Sequence, residues 1–269
     1  QCLPVVPKGS RAQIIHQTLK YSALWSCVKT FNLTENMRIK HGGDESAEFE
    51  KYLLRIGEGK EPLHPEHGDN MVEVPENLES KAVSVEDFCN SIFPDIDKRI
   101  QDGLHNIATH DRGNFEWIMS RAIICPTNND AQDINRLMMK KLTGKLRVYR
   151  SADKTVDPDE APRYPAEYLN TVTLPSLPPH ILELRPGAPI MLLRNLDPAN
   201  GHVNGARYFV REVLDNVIIA ECAVGPYKGN TLMIPRLPFK PEDKTIPFQF
   251  IRKQFPVKVC FAITSNKSQ

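Results

Sequence analysis

The sequence contains no run of 18 apolar residues, so no segment of it reads as a membrane-spanning helix. It has no basic-then-apolar leader, and therefore no visible secretion signal. It has no Cys-x-x-Cys pair either. The six cysteines, at 2, 27, 89, 125, 222 and 260, are scattered, and several lie inside apolar runs. That pattern points to buried free thiols in a reducing compartment rather than a disulfide framework. His64 and His67 flank Pro65-Glu66, but no cysteine or third ligand lies near them in sequence, so they make no metal site.

Two further absences bear on chemistry. No Gly-x-x-x-x-Gly-Lys-Ser/Thr phosphate loop occurs anywhere; Lys8-Gly9-Ser10 lacks the leading glycine and the strand–loop–helix setting. No apolar strand ends in paired acids able to hold magnesium. Hydrolysis of a nucleoside triphosphate needs both features, so these residues do not compose a self-sufficient ATPase. No Ser-His-Asp or Cys-His set can be argued from the spacing. The aromatic residues lie mostly in apolar runs and read as core.

What is present is a chain of 269 residues, 41% hydrophobic, with room for one large domain or two small ones around a real core. Its net charge of +1 is unevenly spread. Residues 31–110 carry 8 Lys/Arg against 17 Asp/Glu, a balance of −9, whereas residues 181–269 carry 12 against 7, a balance of +5. An anionic partner should prefer the C-terminal third, if the imbalance is more than surface scatter.

The spacing predicts helices over Arg11–Trp25 and Ala47–Gly57. It predicts another over Val85–Phe93, opened by Ser84 with Asp87 three residues on. Short strands are expected from Phe31 and over Ala122–Cys125, and Met71–Val74 reads as extended. Asn129–Leu142 is the clearest helix: Ile134, Leu137, Met138 and Leu142 line one face and Gly144 lies just beyond. Strand then helix, repeated, predicts an α/β domain with a parallel sheet. Beyond about residue 155 the pattern changes. Prolines gather at 158, 162, 165, 175, 178 and 179, and strand-like runs follow at Ile181–Leu184, Ile190–Leu193, Tyr208–Val213 and Val217–Ala220. Asn204-Gly205 and Asp215-Asn216 are turn signals between them. This predicts a small antiparallel β module inserted in the α/β domain, with Val257–Ile263 returning the chain to the main sheet.

That last strand breaks into Thr264-Ser-Asn-Lys-Ser-Gln269, where hydroxyls, amides and one lysine suit the gripping of phosphates. The sequence opens on Gln1, without a methionine, and stops inside this polar run, so it reads as an internal piece of a larger protein.

These residues carry a family resemblance. AITSNKSQ resembles the AMTINKSQGQT motif of the Pif/RecD-like helicases of superfamily 1B, especially those of Helitron transposons. Gln1-Cys-Leu-Pro-Val-Val6 resembles the tail of their GDFRQxLPVV segment, and Leu33-Thr-Glu-Asn-Met-Arg38 matches LTENMR. Ala122–Asn128 resembles AILAPTN. PGAPIMLLRNLDPANGHVNGAR, from Pro186 to Arg207, resembles GxPVMLLRNLDPxxGLCNGTR, and Pro235–Val259 resembles the stretch that leads into the final motif. The matches run in order along nearly the whole chain. Ser265 departs from the usual isoleucine, and Gly-Gln-Thr does not follow Gln269.

The resemblance implies a RecA-like second motor domain with a parallel sheet, interrupted by a small β-barrel module. Residues 1–30 would end the first motor domain. Residues 31–175 and 246–269 would form the second, and 176–245 the insert. It implies a fragment of an ATP-dependent 5′-to-3′ DNA helicase acting in repair, recombination, telomere maintenance or transposition. Its cofactors would be ATP and Mg2+, with the phosphate loop and magnesium acids in the first motor domain and absent here. The alternative is a catalytically inactive, transposon-derived remnant, at most a weak nucleic-acid-binding module. Single-stranded DNA is the implied partner, the protein is expected to be monomeric, and the nucleus is the expected compartment.

By the same resemblance Gln1 would sense the γ-phosphate, where the bland reading is a frayed end. Arg38 would reach across the interdomain cleft to clamp that phosphate, where the bland reading is a surface pair with Glu35 or Asp44. Thr127 and Asn128 sit where a strand meets a helix N-terminus, close to nucleotide or phosphate; the bland reading is capping of that helix by Asn128 or Asn129. Thr264, Asn266, Lys267, Ser268 and Gln269 would contact the DNA backbone, as would Arg194 and Arg207 from the β module. Arg194 also has Asp197 within reach as a salt-bridge partner.

Overall fold

The computed structural model describes residues 6, 9–31, 43–63, 71–106, 113–174, 177–222, 225–241 and 246–267. The chain forms two compact units, Gln1–Glu79 and Ser80–Gln269.

In the first unit, helix α1 (Arg11–His16) begins at Ser10 with a reciprocal capping box. Ser10 Oγ accepts from Gln13 N–H, and Gln13 Oε1 accepts from Ser10 N–H. The helix predicted to reach Trp25 ends at His16 and gives way to two 3-10 turns, Leu19–Tyr21 and Ala23–Cys27. The cause is local. Thr18 and Ser22 are both extended, and their hydroxyls bond neighbouring backbone, Thr18 to Ile15 O and Ser22 from Leu24 N–H. Such bonds compete with the helix ladder. Helix α2 (Gly43–Gly57) covers the predicted segment and starts a turn earlier. Val72 is extended and bridges Leu63. The strand expected from Phe31 continues outside the described residues, as do His64 and His67.

The second unit begins as its sequence predicts. Helix α3 (Val85–Ile92) is capped by Ser84, which accepts from Asp87 N–H at 3.1 Å. Two helices that the sequence pattern does not announce follow: α4 (Ile96–His105) and α5 (Gly113–Met119). Strand β1 (Ile123–Cys125) leads into α6 (Asn128–Lys141). Next come β2 (Arg147–Arg150), β3 (Ala152–Thr155) and, in the proline-rich stretch, a 3-10 turn (Pro158–Glu160) and a short helix, α7 (Ala166–Thr171). The remaining strands are β4 (Ile181–Leu184), β5 (Pro189–Leu192), β6 (Arg207–Val213), β7 (Val217–Glu221), β8 (Thr231–Pro235), β9 (Leu237–Phe239), β10 (Phe250–Gln254), β11 (Val257–Val259) and β12 (Ala262–Thr264).

The unit therefore mixes helices with both kinds of sheet. β1 and β12 pair in parallel, Ile123 with Ala262 and Cys125 with Thr264. An antiparallel sheet runs in the order β11-β5-β6-β7-β8, and smaller antiparallel sheets join β3-β10-β9 and β2-β4. Among the described residues no pairing returns β8 to β11. The single strand predicted over Val257–Ile263 is divided. Val257–Val259 belongs to the antiparallel sheet and Ala262–Thr264 to the parallel pair, with Cys260-Phe261 between them. Asp215-Asn216 does turn β6 into β7, where Leu214 N–H donates to Val217 O. Asn204-Gly205 is also a turn, with Ala206 N–H donating to Val203 O, but it does not join two strands as a tight hairpin. It lies in the long connection from β5 to β6, with Asn204 N–H bonded to Asn195 Oδ1.

One core lies among α3–α6, β1 and β12, where Phe93 meets Phe261 edge-on and Phe115 stacks on Phe209 of β6 with centroids 3.7 Å apart. Gly187 brings β5 against it. Its φ is +81°, and a Cβ there would stand 2.1 Å from Ile100 Cγ2, so only glycine fits. A second core fills the antiparallel sheet with Tyr149, Ile190, Tyr208, Val210, Ile218 and Phe255. A third, around Leu169, Phe248 and Phe250, holds α7. Beside it Arg252 and Asp153 form a fully buried ion pair. The guanidinium reaches both carboxylate oxygens at 2.8–3.2 Å and also donates to Leu169 O and Pro178 O.

Candidate nucleic-acid interface

The strand register decides which candidate residues meet. Cys125 and Thr264 are partners at the carboxyl ends of two parallel strands. β1 runs on into Thr127-Asn128 and α6. β12 runs on into a 3-10 turn, Ser265–Lys267. Both sequence-predicted polar segments thus leave the sheet at one edge, where ligands of parallel sheets bind. Thr264 is half-buried, whereas Ser265 and Lys267 are exposed. Asn266 lies within the turn by its backbone. Ser268, Gln269, Gln1 and Arg38 lie outside the described residues.

Behind the turn, Ile263 packs with Met191, Cys260 and Ala122. The edge of β12 that faces away from β1 is held by Asn135 of α6. Its Nδ2 donates to Ala262 O and its Oδ1 accepts from Ala262 N–H, each at 2.9 Å. A second cation stands near Lys267. Burial first, and then the positive charge of Lys267, hold the Lys258 ammonium below its ordinary range. Sequence pattern singles out neither residue. Asn135 lies on a helix face that looks merely solvated, and Lys258 is the one polar position in a short apolar strand.

At the other strand end, the cap of α6 is Thr127, one or two residues ahead of the asparagines proposed for it. Thr127 Oγ1 accepts from Asp130 N–H at 3.2 Å and donates to Asp130 Oδ2 at 2.6 Å. The hydroxyl is therefore engaged, and a carboxylate already occupies the first turn, where helix N–H groups and the dipole favour negative charge. These residues do not fit a triphosphate with magnesium, and among the described residues no group of three His, Cys, Asp or Glu could hold a metal. No hydrolytic step is derived from them.

Arg194 is exposed at the end of β5. It donates to Pro238 O at 3.1 Å and lies over the Phe239 ring at 4.6 Å, while Asp197 is bonded to Asn200 instead. Arg207 sits differently from its sequence-based expectation. Its fork donates to Met119 O, Arg121 O and Cys260 O at 2.8–3.2 Å, and Nε lies 3.5 Å from Cys260 Sγ. The geometry assigns it an internal brace between β6 and the segments that enter β1 and β12. Most of its five donors are engaged there, which leaves little for a nucleic acid. Among the described residues no helix is long and apolar enough to cross a membrane.

Fold and site together describe an α/β protein with polar turns at the carboxyl end of parallel strands. Comparison with known proteins finds similarity to one family of helicases over parts of the chain. The model described as PIF1-like helicase matches residues 1–67, and the model of the DNA helicase Pif1 2B domain matches residues 167–213. Over 152 residues the chain is 30% identical to the ATP-dependent DNA helicase PIF1 of Danio rerio, covering 54% of this chain and 21% of that protein. The unliganded Pif1 from Bacteroides sp is 26% identical over 55% of this chain and 42% of that one, with a TM-score of 0.40. Bacteroides Pif1 bound to ssDNA is 22% identical over 64% and 40%, at 0.39. The chain spans about a fifth of the curated relative and less than half of these two structures. Over the two matched stretches the chain is similar to Pif1-like helicases, in agreement with the motif resemblance.

Proposed function

We propose that the chain is the strand-gripping portion of an ATP-dependent 5′-to-3′ DNA helicase of Pif1 type, working in repair, recombination, telomere maintenance or transposition. The observation that carries this reading is the register of β1 against β12, which brings the turn after Thr264 to the ligand edge of the parallel pair. On this reading residues 31–175 and 246–269 form a RecA-like motor domain, residues 1–30 close the preceding one, and 176–245 form a small barrel module beside the DNA path. Thr264, Asn266, Lys267, Ser268 and Gln269 hold the phosphate backbone of single-stranded DNA, with Lys258 adding charge behind Lys267. Arg194 lies at the rim, and Arg207 braces the module instead of touching DNA. Gln1 and Arg38 act at the γ-phosphate of an ATP–magnesium complex that another domain holds. Alone, the chain hydrolyses no ATP, because it has neither phosphate loop nor magnesium acids.

The turn has donors and almost no apolar surface, so it reads backbone and not base identity. Titration of the full chain with labelled oligothymidylate at several salt concentrations tests this. Lys267→Ala should weaken binding and reduce the salt slope by about 0.7 for each phosphate it no longer neutralises. Thr264→Ala should weaken binding without changing the slope. If Lys267→Ala leaves both affinity and slope unchanged, the turn does not hold the strand.

A further inference from the structure

We propose that Asn135 is the residue that positions the gripping turn, coupling helix α6 to the backbone of β12. This rests on the reading of residues 264–269 as the strand grip. Ile123 N–H donates to Phe261 O, so in this parallel pairing Phe261 and Ile263 direct their backbone groups toward β1 and Ala262 directs its own away. Those outward groups would be an open strand edge. Asn135 closes it with one side chain that supplies both a donor and an acceptor, as a residue of a neighbouring strand would. Ala262 is 1% exposed, so water has little access to replace either bond.

The contact reaches the turn through the strand. Thr264, partnered with Cys125 in the parallel pair, directly precedes Ser265–Lys267, and just before it Ala262 is held by Asn135 and Ile263 by packing. On its other side Asn135 belongs to the helix that begins at Thr127-Asn128. A displacement of α6 along its axis must therefore carry Ala262 with it or break both bonds. Asn135 is uncharged and its amide is bonded to Ala262 at both ends, so it acts through Lys267 and not on DNA directly.

The distinguishing prediction is a change in salt slope from a substitution that removes no charge. In the full chain, Asn135→Ala should raise amide exchange at Ala262 and the following residues roughly two- to tenfold, as expected for one missing hydrogen bond, while α3 and β6–β7 keep their protection. It should lower oligothymidylate affinity and reduce the salt slope as Lys267→Ala does, and add little in a Lys267→Ala background. A role confined to stability would shift the unfolding midpoint without moving the slope of the folded protein. If the alanine variant does not fold, Asn135→Ser serves, since it adds no charge and its single hydroxyl is too short to replace both bonds. If Lys267→Ala weakens binding and Asn135→Ala changes neither affinity nor slope, the positioning role is overturned and the strand-grip reading stands. If Lys267→Ala itself has no effect, the strand-grip reading fails and the coupling falls with it.

Discussion

Replacing Arg252 by methionine tests the packing of the second unit most sharply. The pair it forms with Asp153 is closed to water, with side-chain exposures of 1% and 0%. Methionine retains the apolar stem and removes five donors. Asp153 is then a buried carboxylate with no counter-charge and Pro178 O loses the guanidinium, while Leu169 O keeps the Val172 N–H. Breaking a buried pair from one side costs about 3–5 kcal/mol, and the orphaned carbonyl adds about 1–3 kcal/mol unless it relaxes toward water. Relaxation and shared geometry make these overlap, so a loss of about 3–5 kcal/mol is expected, a large part of the ~5–15 kcal/mol of a typical domain. Urea unfolding followed by Trp117 fluorescence in a Trp25→Phe background isolates the second unit. The double variant Arg252→Met/Asp153→Leu should recover most of the loss, because two apolar side chains replace the pair without leaving a charge behind. A single-variant loss below about 1 kcal/mol, or a double variant as unstable as the single, would refute the view that the unpaired carboxylate is the cause.

Burial, with a smaller contribution from Cys222, pushes the Tyr208 phenol from 10.0 up to about 12. Below pH 10 both folded and unfolded chains keep that proton, so the stabilisation is whole. It drains away between 10 and about 12, where only the unfolded chain ionises. Tyrosinate absorbance should show one late-titrating group that Tyr208→Phe removes. Gly187→Ala should cost at least about 2 kcal/mol in urea unfolding, since it combines a left-handed backbone with a clash against Ile100; a neutral result would mean that α4 can shift. In a protein that unites this chain with a phosphate-loop domain, Arg38→Ala should lower ATP turnover roughly 10³–10⁵-fold with DNA affinity intact. A normal turnover would place Arg38 outside the cleft.

Where the sequence was legible, its signals were local. Ser84 with Asp87, the stripe of α6, and the Asp215-Asn216 turn each depend on residues within a few positions of one another. Helix α4 escaped because its buried stripe, Ile96, Ile100 and Gly103, is thin within a polar segment that follows a left-handed Asp95. Arg207 looks like a surface arginine until Met119 O and Arg121 O, 88 and 86 residues away, come into its fork. Asn135 and Ala262 are separated by 127 residues, and nothing in either neighbourhood announces the other. The polar turn after Thr264 was visible by composition, and its placement beside the start of α6 was visible only from strand register.

The division of the final strand at Cys260-Phe261 has a consequence for how the protein is made. Among the described strands of the second unit β10, β11 and β12 leave the ribosome after the others, and each joins a different sheet. Until they emerge, β1 has no parallel partner, Asp153 has no arginine, and the edge of β5 that takes β11 is open. Closing such distant contacts is slow, and unpaired edges left waiting are prone to association. Truncation just before Phe250 should therefore leave three incomplete sheets at once, and a nascent chain paused there would be a substrate for chaperones.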